Sequence, residues 1–211
     1  MGVQERKKRE RAARKQLILD AARSLLFEKG LTATSINQIA RRAELGVGTI
    51  YFYYKNKEEL FAALQEEGLE LLGKQIRETC DRKKTPMEKL RAMAHVYIDF
   101  SHNYKEYFDI ISFFLASPDI MFTSKALKQE VDQLGDNIIS IVQETIEEGM
   151  QQGLFEEIDA HKSSIMFWGM LHGLLQLRKM RNTLLKDEDH QELVAYSVER
   201  FIGGLSAAGV V

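Results

Sequence analysis

The chain has 211 residues, of which 45% are apolar and 28% charged, a composition typical of soluble globular proteins. Its single cysteine, Cys80, excludes an internal disulfide framework and is expected to be a buried thiol. No N-terminal apolar core precedes a small-residue cleavage site, and no apolar run is long enough to span a bilayer, so we expect a cytoplasmic protein.

The net charge of −2 hides a strong asymmetry along the chain. Residues 1–57 carry 13 Lys and Arg against 5 Asp and Glu, whereas residues 58–211 carry 16 against 26. A basic N-terminal region on an acidic body indicates that only the N-terminal region meets a polyanion. Taken alone, the segment ERKKRERAARK (residues 5–15) favours a solvated charge run that frays in isolation.

The first predicted helix carries apolar residues at helical spacing from 18 to 26, and Gly30 is suited to end it. Ser35 and Gln38 then form a predicted capping box at the start of a helix of about two turns. The segment Glu-Leu-Gly ends that helix, with Gly46 free to take a positive φ.

Four aromatic residues, 51–54, follow in a third short helix, and they cannot all face one core because successive side chains point about 100° apart. If Ile50 points inward, Tyr54 lies about 40° away and also faces the core. Three residues then point outward, and two tyrosines flank them: Gly48, Thr49 and Phe52, with Tyr51 and Tyr53.

The remaining chain is also predicted to be helical. Asn56 and Glu59 cap a helix over 57–80, and Thr85 precedes a proline-initiated helix from Pro86 to about 103. Further helices are predicted over about 119–151, started by Ser117 and Pro118, and over about 160–182 and 188–207. No strand-like alternation occurs, so the fold class is all-α, with about nine helices in total.

Three helices within about 40 residues, the last two short and joined at a glycine, are the ingredients of a helix-turn-helix. In that motif the second helix of the pair lies in the major groove of DNA. An outward glycine permits close approach, Phe52 can cover a thymine methyl group, and tyrosine hydroxyls can reach phosphates. The predicted organisation is a DNA-binding domain with a basic N-terminal arm over 1–56 and a larger helical domain over 57–211.

The stretches ILDAARSLLFEKG and TSINQIARRAELGVGTIYFYYKNKEEL resemble the DNA-binding domain of the tetracycline-repressor (TetR) family of bacterial regulators, over about residues 15 to 62. Glu44 stands where that family often has glycine, and Val47 occupies a position that is often polar. The resemblance implies a ligand-responsive transcriptional regulator, a repressor that binds a palindromic operator as a homodimer and is released by a small hydrophobic effector. It also implies that residues 57–211 form the effector-binding and dimerisation domain.

The resemblance also implies which residues contact DNA. Ser35 would donate to a phosphate, Asn37 would reach a base edge or a phosphate, and Lys57 would hold a phosphate. Arg41 and Arg42 are weaker candidates. The groove-facing surface would consist of Gly48, Thr49, Tyr51, Phe52 and Tyr53.

A dimer surface is predicted in SSIMFWGMLHGLLQL, because this helix is apolar nearly all round and must bury two faces. Gly169 and Gly173, four residues apart, form a small ridge for a closely approaching helix. The alternative is an ordinary core helix containing two glycines. The family architecture favours a four-helix interface formed with residues 188–207.

An apolar effector pocket is expected in the middle of the chain, which is rich in aromatic and methionine side chains. Its occupation would shift the helix that begins at Lys57 and so change the spacing of the two DNA-reading heads. Each of these residues can equally be plain core. The candidates are Met93, Tyr97, Phe100, Tyr107, Phe108, Phe114, Met121, Phe122 and Trp168.

No catalytic motif occurs, and we expect neither an enzyme nor a cofactor. His95, Asp99 and His102 could share a helix face, but we favour hydrogen bonding there over metal ligation, so no metal site is predicted. Two alternatives stay open: a helical small-molecule binder or enzyme without DNA binding, and a membrane-surface protein that uses its basic arm. No contact with a membrane is expected under the leading hypothesis.

Overall fold

A computed structural model describes the protein over residues 2–116, 125–180, 183, 185–186 and 189–207. Four positions used in the predictions lie outside these residues: Ser117, Pro118, Met121 and Phe122. Within the described residues the fold is all-α, as predicted, and the only β-type pairing is an isolated bridge between Phe155 and Ser206.

Nine α-helices occur in the described part of the chain. They are α1 (Val3–Lys29), α2 (Ile36–Arg42), α3 (Val47–Tyr53), α4 (Lys57–Cys80), α5 (Pro86–Asn103), α6 (Lys105–Ala116), α7 (Lys125–Gln151), α8 (Ala160–Leu177) and α9 (His190–Leu205). A 3-10 turn, Arg178–Met180, follows α8. Helix α6 was not predicted and lies between two predicted helices. Helix α8 ends a few residues earlier than predicted.

The chain folds into two compact units. The N-terminal unit comprises Met1–Leu69 and Tyr104–Asp132, and the C-terminal unit comprises Glu70–Asn103 and Gln133–Val211. The division falls within α4, which is one uninterrupted helix of 24 residues. The predicted functional boundary between residues 56 and 57, where α4 begins, stays a prediction.

The core of the N-terminal unit explains why the two seven-residue helices, α2 and α3, hold one arrangement. Ile18 of α1, Ile39 of α2, Ile50 of α3 and Leu60 of α4 are completely buried and belong to one apolar cluster, which Ile110 of α6 joins. Each fully buried aliphatic side chain contributes roughly 1.5–3 kcal/mol relative to its exposed state. Short helices of this length are stable through such packing rather than by themselves.

The helix ends follow the predicted chemistry at two capping boxes. Ser35 Oγ accepts the N–H of Gln38, and the Gln38 side chain accepts the N–H of Ser35 at 3.0 Å. Thr85 and Glu88 form the same reciprocal pair at the start of α5. Gly30 ends α1 with a positive φ of 77°.

The left-handed residue of the turn between α2 and α3 is not Gly46. Gly46 has a φ of −70°, so it does not use the left-handed conformation that is open to it. Glu44 takes that conformation instead, with a φ of 54°. The left-handed residue therefore sits directly after the last turn of α2, at the position where relatives of the resembled family often carry glycine.

The N-terminal arm is helical within the intact chain, and its behaviour in isolation stays a prediction. Helix α1 begins at Val3 and runs for 27 residues, although its first buried residue is Ile18. Arg6 and Glu10 form an exposed ion pair one helical turn apart. Such pairs stabilise a helix by only about 0.2–0.5 kcal/mol each.

In the C-terminal unit, the end of α7 makes a close contact between Gly149 and Phe155. A Cβ atom on Gly149 would lie 2.0 Å from the ring of Phe155, so only glycine fits there. The following turn returns the chain to the end of α9, where Glu156 N–H donates to the carbonyl of Leu205 at 2.9 Å. Cys80 is buried, as predicted, and burial raises the pKa of its thiol to about 11.

Candidate nucleic-acid interface and effector core

Helix α3 separates its aromatic residues between the core and the surface. Ile50 and Tyr54 are buried, whereas Phe52 is 71% exposed and Tyr51 is 50% exposed. Tyr53 is half-buried, and its ring meets that of Phe52 edge-on at 5.2 Å between centroids. The predicted orientation of this helix is confirmed, because the buried Ile50 turns the opposite face outward.

Gly48 and Thr49 lie on the outward side of α3 as well. Gly48 is exposed, and nothing lies within 4 Å of the position that a Cβ atom would occupy. The packing of the chain therefore does not require glycine there. Thr49 is half-buried and lies one turn before Tyr53. A surface glycine that its own fold does not need suits a position where another molecule approaches the backbone closely.

The start of α2 presents Ser35 and Asn37 to solvent. The Ser35 hydroxyl accepts the capping hydrogen bond from Gln38 N–H and keeps its own proton available as a donor. Asn37 is exposed one residue into the helix. Free backbone N–H groups and the helix dipole favour an anion at this helix end.

Lys57 lies at the first position of α4 and is half-buried. Its Nζ donates to the carbonyl of Leu31 at 3.3 Å and lies 4.9 Å from the centroid of the Phe61 ring. Burial lowers the pKa of Lys57, although the neighbouring Glu58 opposes that shift. An ammonium group carries three donors, so the bond to Leu31 leaves capacity for a phosphate oxygen.

The two weaker arginine candidates differ in their surroundings. The Arg42 guanidinium binds both carboxylate oxygens of Glu28, at 2.6 and 2.7 Å, and also donates to Ser24. The hydrogen bond from Arg42 is the main cause that lowers the pKa of Glu28. Arg41 is exposed on the same helix. The ion pair between Arg42 and Glu28 connects α2 to α1, so a structural role for Arg42 is favoured over DNA contact.

Two cations of α1 lie beside the aromatic residues of α3, and the site prediction did not include them. Arg11 Cζ is 5.9 Å from the centroid of the Phe52 ring, and Lys15 Nζ is 5.6 Å from that of Tyr54. The spacing of four residues between these cations puts them on one helix face. That spacing was a usable sequence signal, but it does not identify the rings that they meet.

In the N-terminal unit the predicted effector residues Tyr107, Phe108 and Phe114 are all buried. Burial is the main cause that raises the pKa of Tyr107, and the charge of Glu67 adds to the shift. Glu67 also receives a two-point hydrogen bond from Arg23 of α1, at 2.7 and 3.2 Å. Tyr107 thus interacts with Glu67, whose ion pair with Arg23 links α4 to α1.

In the C-terminal unit the predicted effector residues Met93, Tyr97 and Phe100 are buried on α5. Trp168 of α8 is half-buried, with its ring centroid 4.4 Å from that of Tyr97. Tyr97 Oη and His172 Nδ1 share a hydrogen bond of 2.7 Å. A polar pair therefore lies within an otherwise apolar aromatic group, and burial raises the pKa of the Tyr97 phenol.

Gln65 is a further buried polar residue, and it was not among the predicted effector residues. It lies on α4 in the N-terminal unit and is 5% exposed, and its Oε1 atom accepts no hydrogen bond within the described residues. A buried polar atom without a partner costs about 1–3 kcal/mol. A glutamine within the apolar stripe of α4 was the available sequence signal, because most residues on such a stripe are aliphatic.

The predicted dimer glycines lie on the outer side of α8. Gly169 and Gly173 are exposed, and a Cβ atom on either would meet nothing within 4 Å. Ile165 and Met166 on the same helix are 51% and 65% exposed. The opposite face of α8 is buried, and its Phe167 ring lies 5.0 Å from that of Phe201 on α9. One apolar face of α8 is therefore buried within the chain and a second is left uncovered by it.

Two clefts of the C-terminal unit involve other residues. One, of about 390 Å³, is lined by charged side chains around Cys80. The other, of about 370 Å³, lies between α5 and α9 and includes His95, His102 and His190. Burial lowers the pKa of His102. In the described part of the chain no three His, Cys, Asp or Glu residues are arranged to hold a metal ion.

None of the helices in the described ranges combines the length and the apolar character that a bilayer crossing requires. The comparisons with known proteins agree with the helix-turn-helix geometry. Residues 18–64 match the family described as bacterial regulatory proteins, tetR family. Residues 83–176 match the family described as tetracyclin repressor-like, C-terminal domain.

Two curated relatives from Bacillus subtilis (strain 168) are similar in sequence. The fatty acid metabolism regulator protein is 24% identical over 195 residues, which cover 89% of this chain and 93% of that protein. The uncharacterized HTH-type transcriptional regulator YhgD is 28% identical over 147 residues, which cover 69% of this chain and 74% of that protein.

A solved structure shows the same fold. The transcriptional regulator FadR from Bacillus subtilis, in complex with stearoyl-CoA, superposes with a TM-score of 0.69 at 22% identity and covers 90% of this chain and 98% of that one. The two matched regions include both the helix-turn-helix and most of the helices that follow it. The chain therefore belongs to the TetR family of bacterial regulatory proteins and is a ligand-responsive, DNA-binding transcriptional regulator.

Proposed function

We propose that this regulator is a repressor that binds a palindromic operator as a homodimer and leaves it when an apolar effector binds. The observation that carries the DNA-reading part is the exposed face of α3. Phe52 is 71% exposed although it neighbours the fully buried Ile50. A large aromatic side chain held at the surface of a short, well-packed helix suits contact with base edges in the major groove.

The homodimer is supported by the second apolar face of α8. Ile165, Met166 and the two exposed glycines lie together on this face, and Tyr196 of α9 is 63% exposed. No charged residue occurs between Lys162 and Arg178. Closely packed helices of two identical subunits would cover such a surface, and a two-fold axis repeats the reading head on a palindrome.

Energetics also favour two reading heads. Specific protein–DNA interfaces bury on the order of 1,000 Å² or more of protein surface. Helices of seven residues, such as α2 and α3, provide too little surface alone. Two heads double the contacts, and their separation then controls affinity. An effector that prefers a different separation weakens operator binding by its differential affinity for the two states.

For the effector we propose an acyl group carried on coenzyme A. The relative named as a fatty acid metabolism regulator and the FadR structure with stearoyl-CoA support this class. In the N-terminal unit the buried residues Tyr107, Phe108 and Phe114 suit an acyl chain, and the Oε1 of Gln65, which has no partner within the described residues, suits a polar group or a water molecule that accompanies it.

The test begins with selection of bound duplexes from a random pool, which yields an operator whose symmetry reports the dimer. Fluorescence anisotropy then follows operator affinity while acyl-CoAs of increasing chain length are added, with coenzyme A and free fatty acids as controls. We expect a long-chain acyl-CoA to weaken operator binding by about 5- to 150-fold. Operator binding that no acyl-CoA changes would contradict the effector class, and failure to bind any duplex would contradict the function.

Replacing Gln65 by leucine sharpens this test. The variant keeps the volume of the side chain and removes the unpartnered oxygen, so we expect equal or higher stability and unchanged operator affinity. If Gln65 meets the effector, the acyl-CoA concentration needed for release increases by about 10-fold, as for the loss of one buried hydrogen bond. Gln75→Leu, on a half-exposed part of the same helix, is the matched control. If both variants require the same acyl-CoA concentration for release from the operator, the proposed contact between Gln65 and the effector is contradicted.

A further inference from the structure

The N-terminal half of α1 buries none of its residues from 4 to 17. Residues 4–17 are exposed, and Ile18 is the first buried residue of α1. At 1.5 Å per residue, this half extends about 20 Å beyond the core. It contains seven Lys and Arg residues and two Glu residues between positions 4 and 15. A segment with so few apolar residues is not held as a surface helix by burial.

The charges of this segment are sorted around the helix axis. Five cations lie within about 60° of the direction of Arg11, at 100° per residue: Lys7, Lys8, Arg11, Arg14 and Lys15. The same direction continues to Ile18, which faces the core of the N-terminal unit. Glu5 and Glu10 lie at least about 100° away. The side that continues the core-facing side of α1 is therefore cationic and free of acids.

This cationic face adjoins the exposed side of α3. Arg11 lies over the exposed Phe52 ring, and Lys15 lies near the ring of Tyr54, the buried residue that follows α3. The Arg11–Phe52 contact is exposed, and exposed cation–π contacts contribute only about 0.5–1 kcal/mol, so a stronger anionic partner can replace it. The contacts thus keep the cations near α3 and leave them able to bind phosphates.

We propose that this cationic face, Lys7, Lys8, Arg11, Arg14 and Lys15, binds phosphates of the duplex that flanks the groove occupied by α3. The inference rests on the proposed operator binding and extends it to DNA beyond the groove itself. Duplex DNA presents a dense row of negative charges, which matches a row of cations without interspersed acids. An anionic membrane fits less well, because the segment has no apolar face to insert between lipids.

The experiment compares two double variants with the same change in charge. Lys7→Gln with Arg11→Gln removes two cations from the proposed face, whereas Arg6→Gln with Arg9→Gln removes two from the opposite face. Glutamine keeps a high helix propensity, and circular dichroism verifies that α1 persists. Each duplex is tested with long flanks and with flanks trimmed to the operator itself, over a range of salt concentrations.

On the long duplex we expect the first variant to weaken binding to all sequences alike. Its log–log salt dependence should flatten by about 0.9 for each phosphate that the protein no longer binds. The second variant should change this slope by less than half as much. On the trimmed duplex the first variant and the parent should converge, because the flanking phosphates are gone.

Equal effects of the two variants, or an effect that survives trimming, would overturn this inference and leave the proposed function intact. So would loss of binding to anionic vesicles with no change in DNA binding. A parent protein that binds no duplex would overturn the proposed function as well.

Discussion

Helices α3 and α8 both leave apolar side chains exposed, but their electrostatic surroundings are opposite. The exposed Phe52 of α3 has Arg11 beside its ring, and Lys57 follows on the next helix. The exposed Ile165 and Met166 of α8 lie in a segment without a charged residue. An apolar surface among cations is suited to a polyanion, whereas an uncharged apolar surface is suited to another protein surface of the same kind.

This difference teaches that exposure alone does not identify a partner. Both surfaces exist because the helix buries its opposite face, through Ile50 in α3 and Phe167 in α8. The charges around the exposed face then favour DNA for one and a second subunit for the other. Substitutions at exposed positions test each assignment without disturbing the fold.

The largest expected effect is loss of the dimer in Gly169→Glu. A side chain at Gly169 meets nothing within the chain, and glutamate is the better helix former, so the monomer should fold normally. Two carboxylates brought together in an apolar interface would prevent association. Light scattering should report the mass of one chain, and operator affinity should decrease by about 100-fold or more, because a single reading head buries only half of the DNA-binding surface.

Gly135→Glu on α7 is the matched control for this substitution. Gly135 also has open space around its Cβ position, so the change in charge is the same. We expect this variant to remain dimeric. A Gly169→Glu protein that stays dimeric and binds the operator normally would remove α8 from the interface.

The next largest effect is expected for Phe52→Ala. Because Phe52 is mostly exposed, the free energy of unfolding should change by less than about 0.5 kcal/mol. Discrimination against single base-pair changes should relax by about 1–3 kcal/mol at one or two positions of each half-site. Binding to a panel of operator variants measures this directly. An unchanged preference across the whole panel would show that the groove-facing side of α3 is assigned wrongly.

A smaller and non-selective effect is expected for Lys57→Ala. Removal of one phosphate-binding cation should weaken binding to all duplexes alike and flatten the log–log salt dependence by about 0.9 per half-site. Lys74→Ala, which removes an exposed cation later in α4, serves as control. A changed sequence preference with an unchanged salt slope would contradict a phosphate-binding role for Lys57.

The smallest effect concerns the backbone before α3. Glu44 adopts a left-handed conformation that costs a non-glycine residue about 1–2 kcal/mol, so Glu44→Gly should raise stability by up to about 1 kcal/mol. Gly153 in the C-terminal unit has a similar φ of 69°, and Gly153→Ala should have the opposite effect. Urea unfolding measures both changes. A destabilised Glu44→Gly protein would mean that the Glu44 side chain stabilises the turn.

Much of the local structure was predictable because its causes lie within a few residues of each other. The capping boxes of Ser35 and Thr85 and the terminal glycine Gly30 follow from hydrogen bonds between near neighbours. The orientation of α3 follows from helical periodicity once Ile50 is placed in the core. The sequence left Gly46 free to adopt the left-handed conformation, but it did not indicate that Glu44 would adopt it instead.

The candidate site was predictable only in part. The exposed residues of α3 were identified from spacing, and their DNA contacts stay predictions. Gln65 was missed because a missing hydrogen bond is visible only when all surrounding groups are in place. The position of Arg11 over Phe52 was missed because the two residues are 41 positions apart and meet through the packing of α1 on α3.

The sequence by itself determined the helical fold class, the order of most helices and the sides of α3 and α8 that turn outward. These properties depend on backbone hydrogen bonds and on the 3.6-residue period, both of which are local. Three contacts were decided only by the tertiary structure. They are the contact of Arg11 with the Phe52 ring, the close approach of Phe155 to Gly149, and the ion pair of Arg23 with Glu67. Those contacts join different elements, so their distances follow from how the helices pack and not from the period of any one helix.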